Sequence, residues 1–107
     1  VVEALGVGPG AVLARSGSRA LAATASTAGV RVVVVGSEGS VLPPRMWEPF
    51  VGLALGEGPP ALDAPLELVP FDLVDVVVGP RGAVSPQEAA DRSSCPVAPE
   101  LFAGVVV

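Results

Sequence analysis

Five residue types never occur in this chain: histidine, lysine, tyrosine, asparagine and isoleucine. Cysteine, methionine and tryptophan occur once each. Without His, Lys or Tyr, a general acid or base can come only from a carboxylate or from Cys95. A three-histidine zinc site is impossible and one cysteine cannot build a structural zinc cluster, so no metal and no cofactor is expected. A lone cysteine also rules out an internal disulfide and suits a reducing cytoplasm, the expected location. The only cations are six scattered arginines, Arg15, Arg19, Arg31, Arg45, Arg81 and Arg92, against eleven acidic residues, for a net charge of −5 and a pI near 4.4. A nucleic-acid backbone calls for clustered Lys and Arg, so no such partner is expected. No apolar run approaches the roughly 20 residues of a membrane span. Nor does the start show the charged and then apolar stretches of a secretory signal. Lys, Asn, Tyr and Ile have AT-rich codons, and their joint absence reads as the GC-rich coding bias of a bacterial genome rather than a physical demand.

What is present is apolar and heavily punctuated. Half of the residues are hydrophobic, mean hydropathy is +0.65, and there are 13 glycines and 12 prolines. A chain of 107 residues suffices for one compact domain and not for two. It opens on Val1 rather than Met and closes on Val105-Val106-Val107. Both ends therefore read as trimmed, or the chain as one piece of a longer protein.

The clearest architectural signal is Val30 to Ser37, V-R-V-V-V-V-G-S. Four consecutive valines leave no polar side, and β-branched residues suit a pleated strand. A strand of this kind is normally covered on both faces, the habit of a central parallel strand, and Gly36 then permits a sharp turn. Asp75 to Gly79 repeats the pattern. Val1 to Val7 reads as the end of a helix begun upstream, and Gly8-Pro9-Gly10 as a turn. Ala11 to Arg15 reads as a short strand, and Ser18 or Ser16 as the cap of a helix that Gly29 closes. Strand, helix and valine strand together suggest one βαβ unit. Pro43 and Pro44 suit the first turn of a helix carrying Met46, Trp47 and Phe50, within which Pro49 is a weak point. Gly56 to Pro65 reads as a surface loop and Leu66 to Val69 as a strand. Ser85-Pro86-Gln87-Glu88 is a capping box with proline at the first helical position. Leu101 to Val107 reads as a last strand, or as a helix turn followed by one. The pattern is that of an α/β domain with a mainly parallel sheet of about four or five strands flanked by short helices.

Three strings carry a likeness: Gly10-Ala-Val-Leu-Ala-Arg-Ser16-Gly-Ser18, Gly29-Val-Arg-Val-Val-Val-Val35 and Val74-Asp-Val-Val-Val-Gly79. Over most of Gly8 to Gly82 the chain resembles the Rossmann-like C-terminal part of the initiation factor 2B alpha/beta/delta family. That family includes the methylthioribose-phosphate and ribose-bisphosphate isomerases. The resemblance implies a single Rossmann-like domain over residues 1–107 with a crevice for a phosphorylated sugar or nucleotide. Two departures remove the isomerase signature. Gly79-Pro80-Arg81 stands where the family usually reads Gly-Ala-Asp, and Ser16 and Ser18 stand where the isomerases place a cysteine.

The candidate ligand-binding residues follow the strands. Ser16, Gly17, Ser18 and Arg19 lie at a helix start, where free N–H groups and the helix dipole favour a phosphate; a plain N-cap turn is the other reading. Gly79 and Arg81 would share a carboxyl edge with them in a parallel sheet, or form a tight turn with Arg81 in water. Glu38 could contact a ribose hydroxyl or lie in a solvated loop. Cys95, with no histidine partner, reads as a buried thiol. Trp47 and Phe50 read as core or as a subunit contact. The leading expectation is a non-catalytic or degenerate binding domain for a phosphorylated sugar or nucleotide. An assembly domain acting as a homodimer or with a partner protein, through Trp47, Leu101 and Phe102, is the alternative. A sugar-phosphate isomerase using Cys95 with Glu38 or Asp75 is the third.

Overall fold

The computed structural model describes residues 1–37, 40–56, 65–80 and 82–92. Ten elements follow one another there. They are β1 (Val2–Val7), β2 (Ala11–Arg15), α1 (Ser18–Thr27), β3 (Val33–Val35), α2 (Pro44–Leu55), β4 (Leu66–Pro70), a single 3-10 turn (Phe71–Leu73), β5 (Val76–Gly79), β6 (Gly82–Val84) and α3 (Pro86–Asp91). The strands form one six-stranded sheet in the order β4-β2-β1-β3-β5-β6.

The fold is mixed α/β, and so is the sheet. The three central strands β1, β3 and β5 run parallel, while β2 and β4 on one side and β6 on the other are added antiparallel. With two parallel pairings against three antiparallel ones, the sheet is not mainly parallel. The reason lies in the first residues. Val2–Val7 is a strand and not a helix end, and the tight turn at Gly8 to Gly10 folds β2 straight back along it. Gly8 N–H donates to the Ala11 carbonyl at 3.0 Å, and Gly10 takes φ 87°, a left-handed conformation open to glycine. The parallel neighbour of β3 is therefore β1 and not β2. No βαβ unit runs from Ala11–Arg15 through α1 to the valine strand.

Register explains the core. Val2 stands opposite Val34, Val34 opposite Val77, and Val77 opposite Val84, so one face of the sheet presents a row of valines. Val34 is fully buried, and Ala22 of α1 and Ala89 of α3 belong to the same apolar cluster. Alanines on the helices bring them close to that β-branched surface. α2 lies on the opposite face. A Cβ on Gly8 would sit 2.0 Å from Trp47 Cδ2, and one on Gly6 2.7 Å from Phe50 Cε1, so both glycines are seats for aromatic rings. A bulge between Ala4 and Gly6 helps turn β1 toward them. Trp47 is thereby buried as core, with Phe50 tilted against it at a ring separation of 6.2 Å.

The valine strand is shorter and less enclosed than its sequence suggests. The strand itself is only Val33–Val35, and Val35 remains 41% exposed. Side chains alternate, so Val33, Val35, Val76 and Val78 leave the face opposite the buried row, beyond the part that α2 covers.

Local signals are realised in the helices. α1 ends in a Schellman motif: Val30 N–H donates to the Ala25 carbonyl, Gly29 N–H to the Ser26 carbonyl, and Gly29 takes φ 74°. α2 starts at Pro44 and continues through Pro49 to Leu55. Ser85 caps α3, its Oγ accepting from Glu88 N–H at 3.2 Å, with Pro86 in the first position.

Candidate functional site

Parallel strands deliver their loops to one edge of a sheet, and a cleft lies there. Val7 closes β1, Gly36 and Ser37 follow β3, and Gly79 and Pro80 end β5. These line a cleft of about 70 Å³, open to solvent, with Val41, Val77, Gly82 and Val84, under a wall formed by Ala89 and Arg92 at α3. Leu42 N–H donates to the Val7 carbonyl at 2.9 Å, and Gly36 N–H to the Val78 carbonyl at 3.0 Å, so the backbone beneath the cleft is tied down. Gly36 allows a close approach: a Cβ there would lie 2.9 Å from Ser40 Oγ, whose hydroxyl donates to the Ser37 carbonyl at 2.6 Å. The lining is predominantly apolar. Among the described residues it holds one charged side chain, Arg92, whose Nη2 donates to Glu88 Oε1 at 2.5 Å one helical turn back.

The residues expected at the ligand site do not gather there. β2 is antiparallel to β1, so Ser16, Gly17, Ser18 and Arg19 leave the sheet at the edge where β1 and β3 begin. Gly36 and Gly79 leave at the opposite edge. A shared crevice between the Ser16–Arg19 loop and the Gly79–Pro80 turn is thus ruled out by strand direction. The helix start is also engaged from within. Gly17, rather than Ser16 or Ser18, is the capping residue, and no side chain of its own turn caps it. Instead Glu67 of β4 supplies the anion: its Oε2 accepts from Gly17 N–H at 3.0 Å and from Arg19 N–H at 2.8 Å. An incoming phosphate would have to displace a carboxylate that the helix dipole already favours. Of the expected residues, Gly79 is on the cleft; Glu38, Arg81 and Cys95 lie outside the described residues, as do Leu101 and Phe102.

Asp75 is likewise remote from the cleft. Its Oδ2 accepts from Val32 N–H at 2.7 Å while its own N–H donates to the Val32 carbonyl at 3.0 Å. This reciprocal pair bolts the start of β5 to the start of β3, at the edge away from Gly36 and Gly79, which fits a register lock rather than acid–base work in the cleft. Among the described residues no three His, Cys, Asp or Glu side chains converge as a metal site would require. None of the helices among those residues is long and apolar enough to cross a membrane. Sequence reasoning missed Arg92 as a cleft residue because nothing local marks it. Its placement depends on α3 folding back over β5.

No family model and no curated protein matches this chain.

Proposed function

We propose that this chain is a non-catalytic binding domain for a phosphorylated small molecule, a sugar phosphate or a nucleotide. On this reading it is a degenerate, Rossmann-like relative of the initiation factor 2B family. The observation that carries the reading is the cleft at the carboxyl ends of β1, β3 and β5, the place where open α/β sheets receive ligands. The resemblance of the three sequence strings supports it independently of the cleft. In this version the ligand sits on Gly36, Ser37, Gly79 and Pro80, and the Ser16–Arg19 turn takes no part.

Thermal unfolding with a panel of sugar phosphates, nucleotides and inorganic phosphate tests it. A ligand present at 100 times its dissociation constant stabilises the native state by about 2.7 kcal/mol, an easily measured shift. The reading requires a selective shift, abolished when Gly79 is replaced by a bulkier residue. No shift from any member of the panel would refute it.

One further observation favours an assembly role as the second reading. Leu5 is 37% and Val35 41% exposed on a sheet face where Val33, Val76 and Val78 are only half-buried. Trp47 cannot serve the contact, since it is packed on Gly8. Light scattering separates the two readings: a monomer at high concentration counts against assembly and leaves the cleft reading intact.

A further inference from the structure

We infer that Arg92 is an anion-recognition residue of the cleft, and that the cleft selects an anion carrying an apolar body over a bare sugar phosphate. This rests on the cleft being a binding site, as proposed above. The argument starts from the lining. Val7, Val41, Val77, Val84 and Ala89 present hydrocarbon, which offers a hydroxyl-rich sugar ring few partners and would strip it of water. A flat or apolar group gains there, since burying apolar surface contributes roughly 25 cal/mol per Å².

Charge enters at one place among the described residues. Arg92 stands at the end of α3 on the wall of the cleft, and Glu88 takes the donor on Nη2. A guanidinium carries five N–H donors in a planar fork, so engagement by one carboxylate oxygen leaves an edge for a second anion. The two side chains of this ion pair are 53% and 46% exposed, and pairs so exposed are weak, so a ligand anion competes with Glu88 at small cost. Glu88 thus acts as a tether that aims Arg92 along the cleft wall.

The test is a titration of the full chain, labelled with nitrogen-15, with phenyl phosphate, phenol, glucose 6-phosphate and inorganic phosphate. Phenyl phosphate is expected to bind most tightly and to shift the amides of Gly36, Ser37, Gly79, Ala89 and Arg92. Arg92→Gln is expected to weaken phenyl phosphate about tenfold, the scale of a lost charge-assisted hydrogen bond, while phenol binds as before. Glu88→Gln releases the fork and is expected to tighten phenyl phosphate about twofold. Equal affinity for glucose 6-phosphate and phenyl phosphate, or an Arg92→Gln variant that binds phenyl phosphate unchanged, overturns this inference and leaves the cleft reading standing. Absence of binding by every probe, with the spectrum of a folded chain, overturns this inference, and the cleft reading falls as well when the nucleotides of the thermal panel also give no shift.

Discussion

Removing the charge of Glu67 should loosen the start of α1, and the size of the effect can be worked from the structure. Glu67 Oε2 accepts two backbone N–H groups, from Gly17 and Arg19, at 3.0 and 2.8 Å. The carboxylate also faces the positive end of the α1 dipole, an arrangement contributing about 0.3–1 kcal/mol. Charge-assisted hydrogen bonds are roughly twice as strong as neutral ones, so Glu67→Gln keeps an acceptor and loses about half the bonding together with the dipole contribution. The sum is about 1 kcal/mol. Glu67→Ala removes the acceptor altogether. Gly17 and Arg19 are exposed, so their N–H groups return to water rather than being orphaned, and the cost stays near 2 kcal/mol. For a domain of this size 1 kcal/mol moves Tm by about 4–8 °C. Circular dichroism melts of the wild type and both variants give the ordering, with Glu48→Gln, an exposed position of α2, as a control near zero. Repeating the melts in 1 M salt should narrow the gap between wild type and Glu67→Gln, since exposed charges are screened. A Glu67→Gln variant as stable as the wild type, or as damaged as Glu67→Ala, would refute the capping argument.

Three further outcomes follow from packing and caps. Val34→Ala should cost about 2 kcal/mol and Val35→Ala under about 1 kcal/mol by urea denaturation, because Val34 is fully buried and Val35 is 41% exposed; equal costs would mean that the faces of β3 are assigned wrongly. Gly8→Ala should cost about 3 kcal/mol or prevent folding, since the new methyl meets the Trp47 ring at 2.0 Å; an unchanged Trp47 fluorescence spectrum and melt would contradict the packing of α2 on β1. Ser85→Ala should cost about 1 kcal/mol and speed hydrogen exchange at α3 amides, and no change in that exchange would show that α3 is held by packing alone.

Much of this fold is written in short stretches of chain. Gly29 past the end of α1, Ser85-Pro86 at the start of α3 and the valines of β3 and β5 each specify their element through local sterics or a bond a few residues long. Such signals survive in any context, which is why they are legible. Val2-Glu3-Ala4-Leu5 does alternate buried and exposed, but Leu5 on the outer face blurs the period, and so β1 reads as the end of a helix.

The sequence by itself determined the helices and the valine strands, the glycine turns, the apolar excess and the chemistry that missing residues forbid. Strand direction and order were decided only in three dimensions. The turn at Gly8–Gly10 and the pairing of β1 with β3 send the Ser16–Arg19 loop to one edge and Gly36 and Gly79 to the other. The partner of the α1 start, Glu67, lies 48 positions from Arg19 along the chain, and Arg92 reaches the cleft only because α3 lies over β5. Caps and propensities act over a few residues and can be read in order. Register, strand direction and distant carboxylates depend on which surfaces bury together, and that is a property of the whole chain.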